Sequence, residues 1–254
     1  MSTSKNRYIN NLYSLYRSAS EFSEVITIKV DVYSSIQLKN SVWPNATYSS
    51  IDDFLSNPKV LNSVTSDIKN KKINPLIISN NDNMDIQILK NNGIYLIDRW
   101  VLMYLNLKDF VFNQGALIVD EFEFGKITSD AELPQWTEIL SNNLFDGKEL
   151  NINLFSFLMR DCSDLFYLKL NKKIIGTILV YYDENSIAGV YMVSIDKSER
   201  KRGLGGHLIN YALTEVKKKG IKKVTLQSTK LGVTLYNSLG FKKNNDINLF
   251  YKIK

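Results

Sequence analysis

Ser198 to Leu213, SERKRGLGGHLINYAL, sets three glycines within four positions, behind three consecutive basic residues and ahead of an apolar-periodic run. Glycines lack the Cβ atoms that hold a bulky group away from the backbone. The first turn of a helix carries unpaired N–H groups at the positive end of its dipole. Together these make a nest of donors suited to a phosphate or pyrophosphate. Arg200, Lys201 and Arg202 add positive charge beside it. Two common phosphate signatures do not fit. A P-loop needs Gly-x-x-x-x-Gly-Lys-Ser/Thr, which the sequence lacks, and a dinucleotide fingerprint needs glycine or alanine where Leu208 stands. What remains is Arg200-x-x-Gly203-x-Gly205. By itself this spacing also suits a glycine turn that merely opens a helix.

The elements that must hold this loop are legible around it. Ile187 to Ile195 is rich in β-branched and aromatic residues and predicts a strand. After the loop, Leu204, Leu208, Ala212 and Val216 recur every fourth residue, with Ile209 and Leu213 beside them, which predicts an amphipathic helix. Lys217 to Lys219 suit its negative end and Gly220 its stop. Lys223 to Gln227 predicts a strand, Leu231 to Leu239 a short helix, and Phe241 to Ile253 one or two closing strands. Upstream, Ser129-x-x-Glu132 reads as a capping box before Leu133, Trp136, Leu140 and Leu144, and a second helix covers Leu150 to Arg160. Leu165–Leu170 and Ile174–Tyr182 flank Asn171-Lys172-Lys173 as a hairpin. The first half predicts an opening helix around Tyr8 to Tyr16, a strand over Val25 to Tyr33, and a helix starting at Ser50 to Leu55.

Composition narrows the class. The 254 residues are 44% hydrophobic and 23% charged, ordinary for a soluble globular chain, and no apolar run reaches the roughly 20 residues that span a bilayer. The N-terminal residues show no signal-peptide pattern, and Cys162, the only cysteine, fits a reducing cytoplasm. One cysteine and one histidine, His207, argue against a thiolate or histidine metal site. Of the net charge of +6, the segment from Asp196 to Lys254 carries 14 Lys/Arg against 4 Asp/Glu, while the rest carries 18 against 22. That bias fits a polyphosphorylated ligand, nucleic acid, or a solvated lysine-rich helix end. No nucleic-acid module accompanies it, so nucleic acid is not the expected partner.

Taken together, the region from about Leu117 to Lys254 resembles the GNAT superfamily of acetyl-CoA-dependent N-acetyltransferases. The strand GVYMVSI leads into RKRGLGGHL as the family's fourth strand leads into its Arg/Gln-x-x-Gly-x-Gly/Ala loop. LYNSLGF, Leu235 to Phe241, resembles the family's second signature, a tyrosine four residues before Gly-Phe. The resemblance implies an α/β (α+β) fold, a mixed, mostly antiparallel sheet flanked by helices. It implies that the acetyl-CoA cosubstrate lies on the loop Arg200, Lys201, Arg202, Gly203, Leu204, Gly205 and Gly206. Backbone N–H groups of about Val193 and Ile195 would meet the thioester where the fourth strand splays from the fifth, and Tyr236 would protonate the departing thiolate. An ordinary tyrosine ionises near pH 10, above a thiol near 8.5, so this proton transfer is feasible at neutral pH. No metal is implied. Thr229 and Gly232 depart from the asparagine and alanine common in relatives. No carboxylate lies within Ile187 to Ile195, leaving Asp183, Glu184, Asp196 or a water relay as the base. His207, directly after the loop, reads as solvated or phosphate-facing.

The first half ends as the second does: strand, helix, Gly-apolar, strand, with NPLIISN, ILKNNGI and YLIDRWVLMYLNL matching VTLQS, LYNSLGF and the last strand region. This comparison places Leu89 opposite Tyr236 and suggests a tandem arrangement. A degenerate N-terminal copy or accessory domain would span 1–115 and the acetyl-CoA-binding domain 116–254, joined near Gln114-Gly115. The expected function is transfer of an acetyl group to a primary amine of a small molecule or peptide. The competing reading is a non-catalytic acyl-CoA sensor or scaffold. If the first half closes the acceptor cleft, Asp146 and Glu149 would favour a cationic acceptor.

Overall fold

In the computed structural model the described residues are 7–51, 53–81, 84–110 and 121–253. The first half contains α1 (Ile9–Ala19), β1 (Val25–Lys29), β2 (Ser34–Leu38), β3 (Ala46–Tyr48), α2 (Pro58–Lys69), β4 (Leu76–Ser79), α3 (Ile86–Asn91) and β5 (Ile94–Asn106). The second contains β6 (Phe122–Lys126), α4 (Leu133–Leu144), α5 (Ile152–Asp161), β7 (Ser163–Leu170), β8 (Lys173–Tyr182), β9 (Ile187–Ile195), α6 (Leu204–Lys218), β10 (Lys223–Ser228), α7 (Val233–Ser238) and β11 (Lys242–Lys252). The expected linker at Gln114-Gly115 lies outside the described residues, as does Leu117.

The strands form one sheet in the order β1-β2-β3-β4-β11-β5-β10-β9-β8-β7-β6. Only β3–β4 and β9–β10 pair in parallel among the described residues. The mixed, mostly antiparallel sheet with flanking helices is therefore as expected. Its centre is an exchange: β11 lies between β4 and β5, and β5 lies between β11 and β10. Outward from the β11–β5 pair, both sides repeat one pattern: antiparallel, parallel, antiparallel, antiparallel. Each parallel step is crossed by a helix, α2 on one side and α6 on the other.

Side-chain alternation divides the core. Leu165, Leu179 and Tyr181 meet α1, α4 and α5 on one face, where Trp136 donates through Nε1 to the Phe166 carbonyl (2.9 Å). Phe166, Ile178 and Val180 meet α6 on the other. Leu204, Leu208, Ile209, Leu213 and Val216 of α6 are all buried there, a gross hydrophobic contribution on the order of 10 kcal/mol. A third cluster fills the space under α2 and α3. The hairpin turn forms as read, with Asn171 (φ 50°) and Lys172 (φ 66°) both left-handed, as a two-residue turn of primed type requires.

Three local expectations differ. The strand read over Val25 to Tyr33 ends at Lys29, and a separate strand, β2, starts at Ser34 and pairs back on it. Ser129 makes no side-chain cap; Asp130–Glu132 is a turn of 3-10 helix ahead of α4, and Glu132 pairs instead with Lys169 Nζ at 2.8 Å. The ion pair holds away the carboxylate that a capping box would need. The second helix of the first half starts at Pro58 rather than Ser50, because Asn57 caps it: its Oδ1 accepts from Lys59 N (3.0 Å) and Val60 N (3.4 Å).

Candidate functional site

Strands β9 and β10 separate where the loop begins. Their pairing ends at Val190↔Leu226, yet β9 runs on to Ile195 and β10 to Ser228. On its other side β9 stays joined to β8 through a bulge: Leu179 faces Tyr191 and Thr177 faces Ser194, so Met192 and Val193 together oppose Ile178. Met192 takes a left-handed φ of 54°. Buried Thr177 clamps the bulge, donating to the Met192 carbonyl (3.0 Å) and sharing a hydrogen bond with Ser194 Oγ (2.9 Å). Beyond the bulge, Asp196 N donates to the Ile175 carbonyl of β8 (2.7 Å). Strand alternation therefore turns the N–H groups of Val193 and Ile195 toward the β10 side, where there is no longer a strand partner.

The loop follows at once. Asp196 opens it by accepting from Ser198 N (2.9 Å) and Ser198 Oγ (2.6 Å), and these bonds hold its carboxyl below the usual range. Arg200 donates through Nε to the Ile195 carbonyl (2.9 Å) and through a terminal nitrogen to Asn143 Oδ1 on α4 (3.0 Å). It fastens the loop to strand and helix. Arg202 pairs with Glu199 and lies 5.4 Å from the centre of the Phe122 ring, whereas Lys201 is exposed and has no ion pair among the described residues. Gly203, at φ 76°, takes the left-handed conformation that starts α6 without a side-chain cap. Gly206 N (3.0 Å) and His207 N (3.3 Å) both turn back to its carbonyl. Leu204 is buried and anchors the first turn in the core.

A Cβ added at Gly205 would meet Ile195 at 3.7 Å and Leu235 at 3.8 Å, and one at Gly206 would meet Leu235 at 3.5 Å. Those are ordinary contacts, so the protein's own packing does not require glycine at either position.

Helix α7 brings Tyr236 beside this turn. The ring is buried at 9% exposure and packs edge-on against Phe241, with centroids 5.7 Å apart. Burial pushes its ionisation up to about 12. A Cβ at Gly232 would lie 2.7 Å from Ser228 Oγ and 3.1 Å from Tyr236, so an alanine there requires the serine hydroxyl to turn and the ring to give by a few tenths of an ångström. Gly232 is one of the two departures from the family pattern. Thr229, the other, is exposed. His207 lies in the same first turn, half-buried, with burial lowering its ionisation.

Of the candidate bases, only Asp196 lies at the loop, where it accepts from Ser198. Asp183 and Glu184 sit in the β8–β9 turn, at the end of β9 away from the loop, where Asp183 accepts from Asn185 N and Ile187 N. Asp146 is exposed and lines a groove of about 460 Å³ with Asn142, Asn143, Gly147, Asp196 and Lys197. Glu149 is exposed on the α4–α5 connection.

Sequence reading missed Thr177, the Met192 bulge and Asn143, which have no local signature. It also missed Asn11 of α1. This fully buried amide donates to Asp183 Oδ2 (2.9 Å) and the Ile187 carbonyl (2.9 Å), and accepts from the Tyr191 hydroxyl (2.7 Å). The space exists because Gly189 lacks a Cβ, which would fall 1.9 Å from Asn11 Oδ1.

Residues 154–252 match the acetyltransferase (GNAT) domain. The match covers β7 to β11, with the loop, α6 and α7, and leaves out α1, β6, α4 and the α4–α5 connection. A GCN5-related N-acetyltransferase from Kribbella flavida superposes with a TM-score of 0.72 at 13% identity, over 98% of this chain and 97% of that one. Another from Sphaerobacter thermophilus gives 0.63 at 10% identity, over 86% and 79%. At such identities the likeness is one of fold, and it extends across both halves. No curated protein sequence matches the chain.

Proposed function

We propose that this chain transfers an acetyl group from acetyl-CoA to a primary amine by direct attack. The observation that carries the reading is the parting of β9 and β10 beyond Val190↔Leu226, immediately before an uncapped helix start where the protein's own packing needs glycine at neither 205 nor 206. In this reading the amides of the first turn of α6, with Lys201 and Arg202, hold the pyrophosphate. Arg200, committed to Ile195 and Asn143, positions the loop. The N–H groups of Val193 and Ile195 stabilise the oxyanion that forms as the amine attacks the thioester carbonyl. Tyr236 donates its proton to the leaving thiolate. Its raised ionisation keeps it protonated until the C–S bond breaks; transfer to a thiolate of ordinary value near 8.5 is uphill and is completed as the proton lost by the attacking amine returns through water to the phenolate. Asp146, on the groove beside the loop, would favour a cationic acceptor.

The repeated pairing pattern supports reading the chain as tandem copies, 1–115 and 116–254, that exchange β5 and β11. Only the second copy would bind acetyl-CoA. In the first, Asn57 occupies two first-turn N–H groups of α2 and Pro58 removes another donor, while buried Leu89 takes the place of Tyr236. Calorimetric titration with acetyl-CoA, followed by free-thiol release over an amine panel, tests the proposal. Saturable micromolar binding with turnover supports it; binding without turnover of any amine supports a sensor; no binding refutes both.

A further inference from the structure

Among the described residues, Met192 is the one non-glycine residue inside a strand with a left-handed φ; the others of its kind lie in turns and loops. An L side chain is disfavoured in that conformation, so a strand adopts it only where its surroundings impose it. Three successive residues of β8 do so. Thr177, wholly buried, donates to the Met192 carbonyl at 3.0 Å. A hydroxyl carries one proton, so the 2.9 Å bond between Thr177 and buried Ser194 is donated by Ser194. The two hydroxyls therefore point one way, from Ser194 through Thr177 to the carbonyl of the bulge. Gly176 leaves room for Ile195, whose Cδ1 would lie 2.7 Å from an added Cβ. Ile175 accepts from Asp196 N at 2.7 Å.

The bulge decides where the later N–H groups point. Because Met192 and Val193 share one partner on β8, the alternation of N–H directions is offset by one residue beyond them. Without that offset, Val193 and Ile195 would turn their N–H groups toward β8, and the gap beside β10 would receive none from them. We infer that Thr177 is a positioning residue for acetyl transfer: its hydroxyl holds the Met192 bulge and so aims the N–H groups of Val193 and Ile195 at the thioester oxygen. Thr177 acts only through this backbone, since its own side chain is closed off from any ligand. The inference rests on the acetyl-transfer reading and names what orients the donors of that same site.

The test compares wild type with Thr177→Val, which keeps the shape and removes the hydroxyl, and with Thr177→Ser, which keeps the hydroxyl. Thr137→Val on α4 is the stability control, because it removes another buried hydroxyl bonded to a backbone carbonyl, that of Leu133 at 2.8 Å. The readouts are the infrared carbonyl band of bound, isotope-labelled acetyl-CoA, which hydrogen bonding lowers, acetyl-CoA affinity by calorimetry, kcat by free-CoA release, and Tm. Thr177→Val should return the band toward that of free acetyl-CoA and lower kcat by about 10²-fold, the loss of one oxyanion donor, with acetyl-CoA affinity within a few-fold. Thr177→Ser should restore both. Thr137→Val should lower Tm and leave the band in place. A band that stays at its wild-type position in folded Thr177→Val overturns the inference, as does a kcat loss no larger than that of Thr137→Val; Thr177 would then only stabilise the fold. If Thr177→Val does not fold, Thr177→Cys, a weaker donor of similar size, carries the same two outcomes. If wild type binds acetyl-CoA with the band of the free thioester, this inference falls while a CoA site stands. If it binds no acetyl-CoA, the underlying reading falls first.

Discussion

Replacing Gly205 by alanine separates a glycine kept for the fold from one kept for a ligand. Gly205 is the second residue of α6 and has no positive φ, so alanine adopts its backbone without strain. The new methyl meets Ile195 at 3.7 Å and Leu235 at 3.8 Å, both ordinary contacts. Removing a glycine's excess unfolded-state freedom stabilises a compatible site by about 0.5 kcal/mol, which raises Tm by roughly 1–2 °C in a chain of this size. The same methyl stands where the pyrophosphate would approach the backbone. Losing one charge-assisted hydrogen bond there costs about 1.5–3 kcal/mol, or roughly 10- to 100-fold in acetyl-CoA affinity. Gly205→Ala should therefore be slightly more stable and bind much more weakly. The control is Gly203→Ala, where φ of 76° makes alanine strained by about 1–2 kcal/mol and Tm falls. Differential scanning calorimetry and isothermal titration read the two quantities independently. An unchanged acetyl-CoA affinity in a folded Gly205→Ala protein would refute the argument and leave the glycines as a helix start.

Three other outcomes are expected. Tyr236→Phe should lower kcat by about 10²–10⁴-fold with acetyl-CoA affinity within a few-fold, and wild-type kcat should show no alkaline loss from this group below about pH 11; equal loss of affinity and turnover would remove Tyr236 as the acid. Asp164, 5% exposed, accepts from Lys126 (2.9 Å), Tyr182 (2.6 Å) and Lys219 (2.5 Å), and although burial works against its ionised form, these partners hold its carboxyl below the usual range. Its contribution is then full above the unfolded value of about 3.9 and disappears as pH falls through the lower folded one, so Asp164→Asn should cost about 3 kcal/mol in urea at pH 7, and the two proteins should converge as the folded carboxyl becomes protonated. Fragment 116–254 expressed alone should not fold, because both neighbours of β11 and one neighbour of β10 belong to the first half; a soluble fragment that binds acetyl-CoA would refute the exchange as a structural requirement.

How much of this was legible in the sequence follows from how local each feature is. Helix α6 and its start are written in a four-residue apolar repeat and a glycine that must be left-handed, so both were readable. Strands β7 to β9 and their turn were readable for the same reason. Strands β2 and β3 were not, since SSIQL and ATY are short and weakly alternating, and their burial comes from the α1 side of the core. The capping box failed because Lys169, on another strand, outcompetes a local bond for Glu132. Asn11 and Gly189 lie 178 positions apart in the chain, and no pattern in either neighbourhood signals that one amide fills the other's missing Cβ. The site was legible where one segment makes it and hidden where separate elements complete it: Thr177 of β8, Asn143 of α4 and Asn11 of α1.

The contrast between α2 and α6 turns that division into an argument about which half does chemistry. Both helices start after a strand that pairs in parallel with the next one, at equivalent steps of the sheet. At α2 the orphan N–H groups are satisfied internally: Asn57 takes two and Pro58 has none to offer. A cap of this kind is worth about 1 kcal/mol, and it fills the space an anion would use. At α6 no side chain caps the helix, and the residues that could approach, Gly205 and Gly206, carry no side chain at all. The start of α6 therefore forgoes a stabilising interaction that the same fold obtains at α2. An anion bound there would restore it, so acetyl-CoA should raise the Tm of the protein, and should do so less in Gly205→Ala despite that variant's higher starting stability. Gly203→Asn tests the same site from the other side. Asparagine tolerates the left-handed conformation, so the variant should fold, and its side chain, starting 3.8 Å from the His207 ring, would crowd the first turn where the anion approaches. If acetyl-CoA bound Gly203→Asn as tightly as wild type, the first-turn amides would not be the anion site.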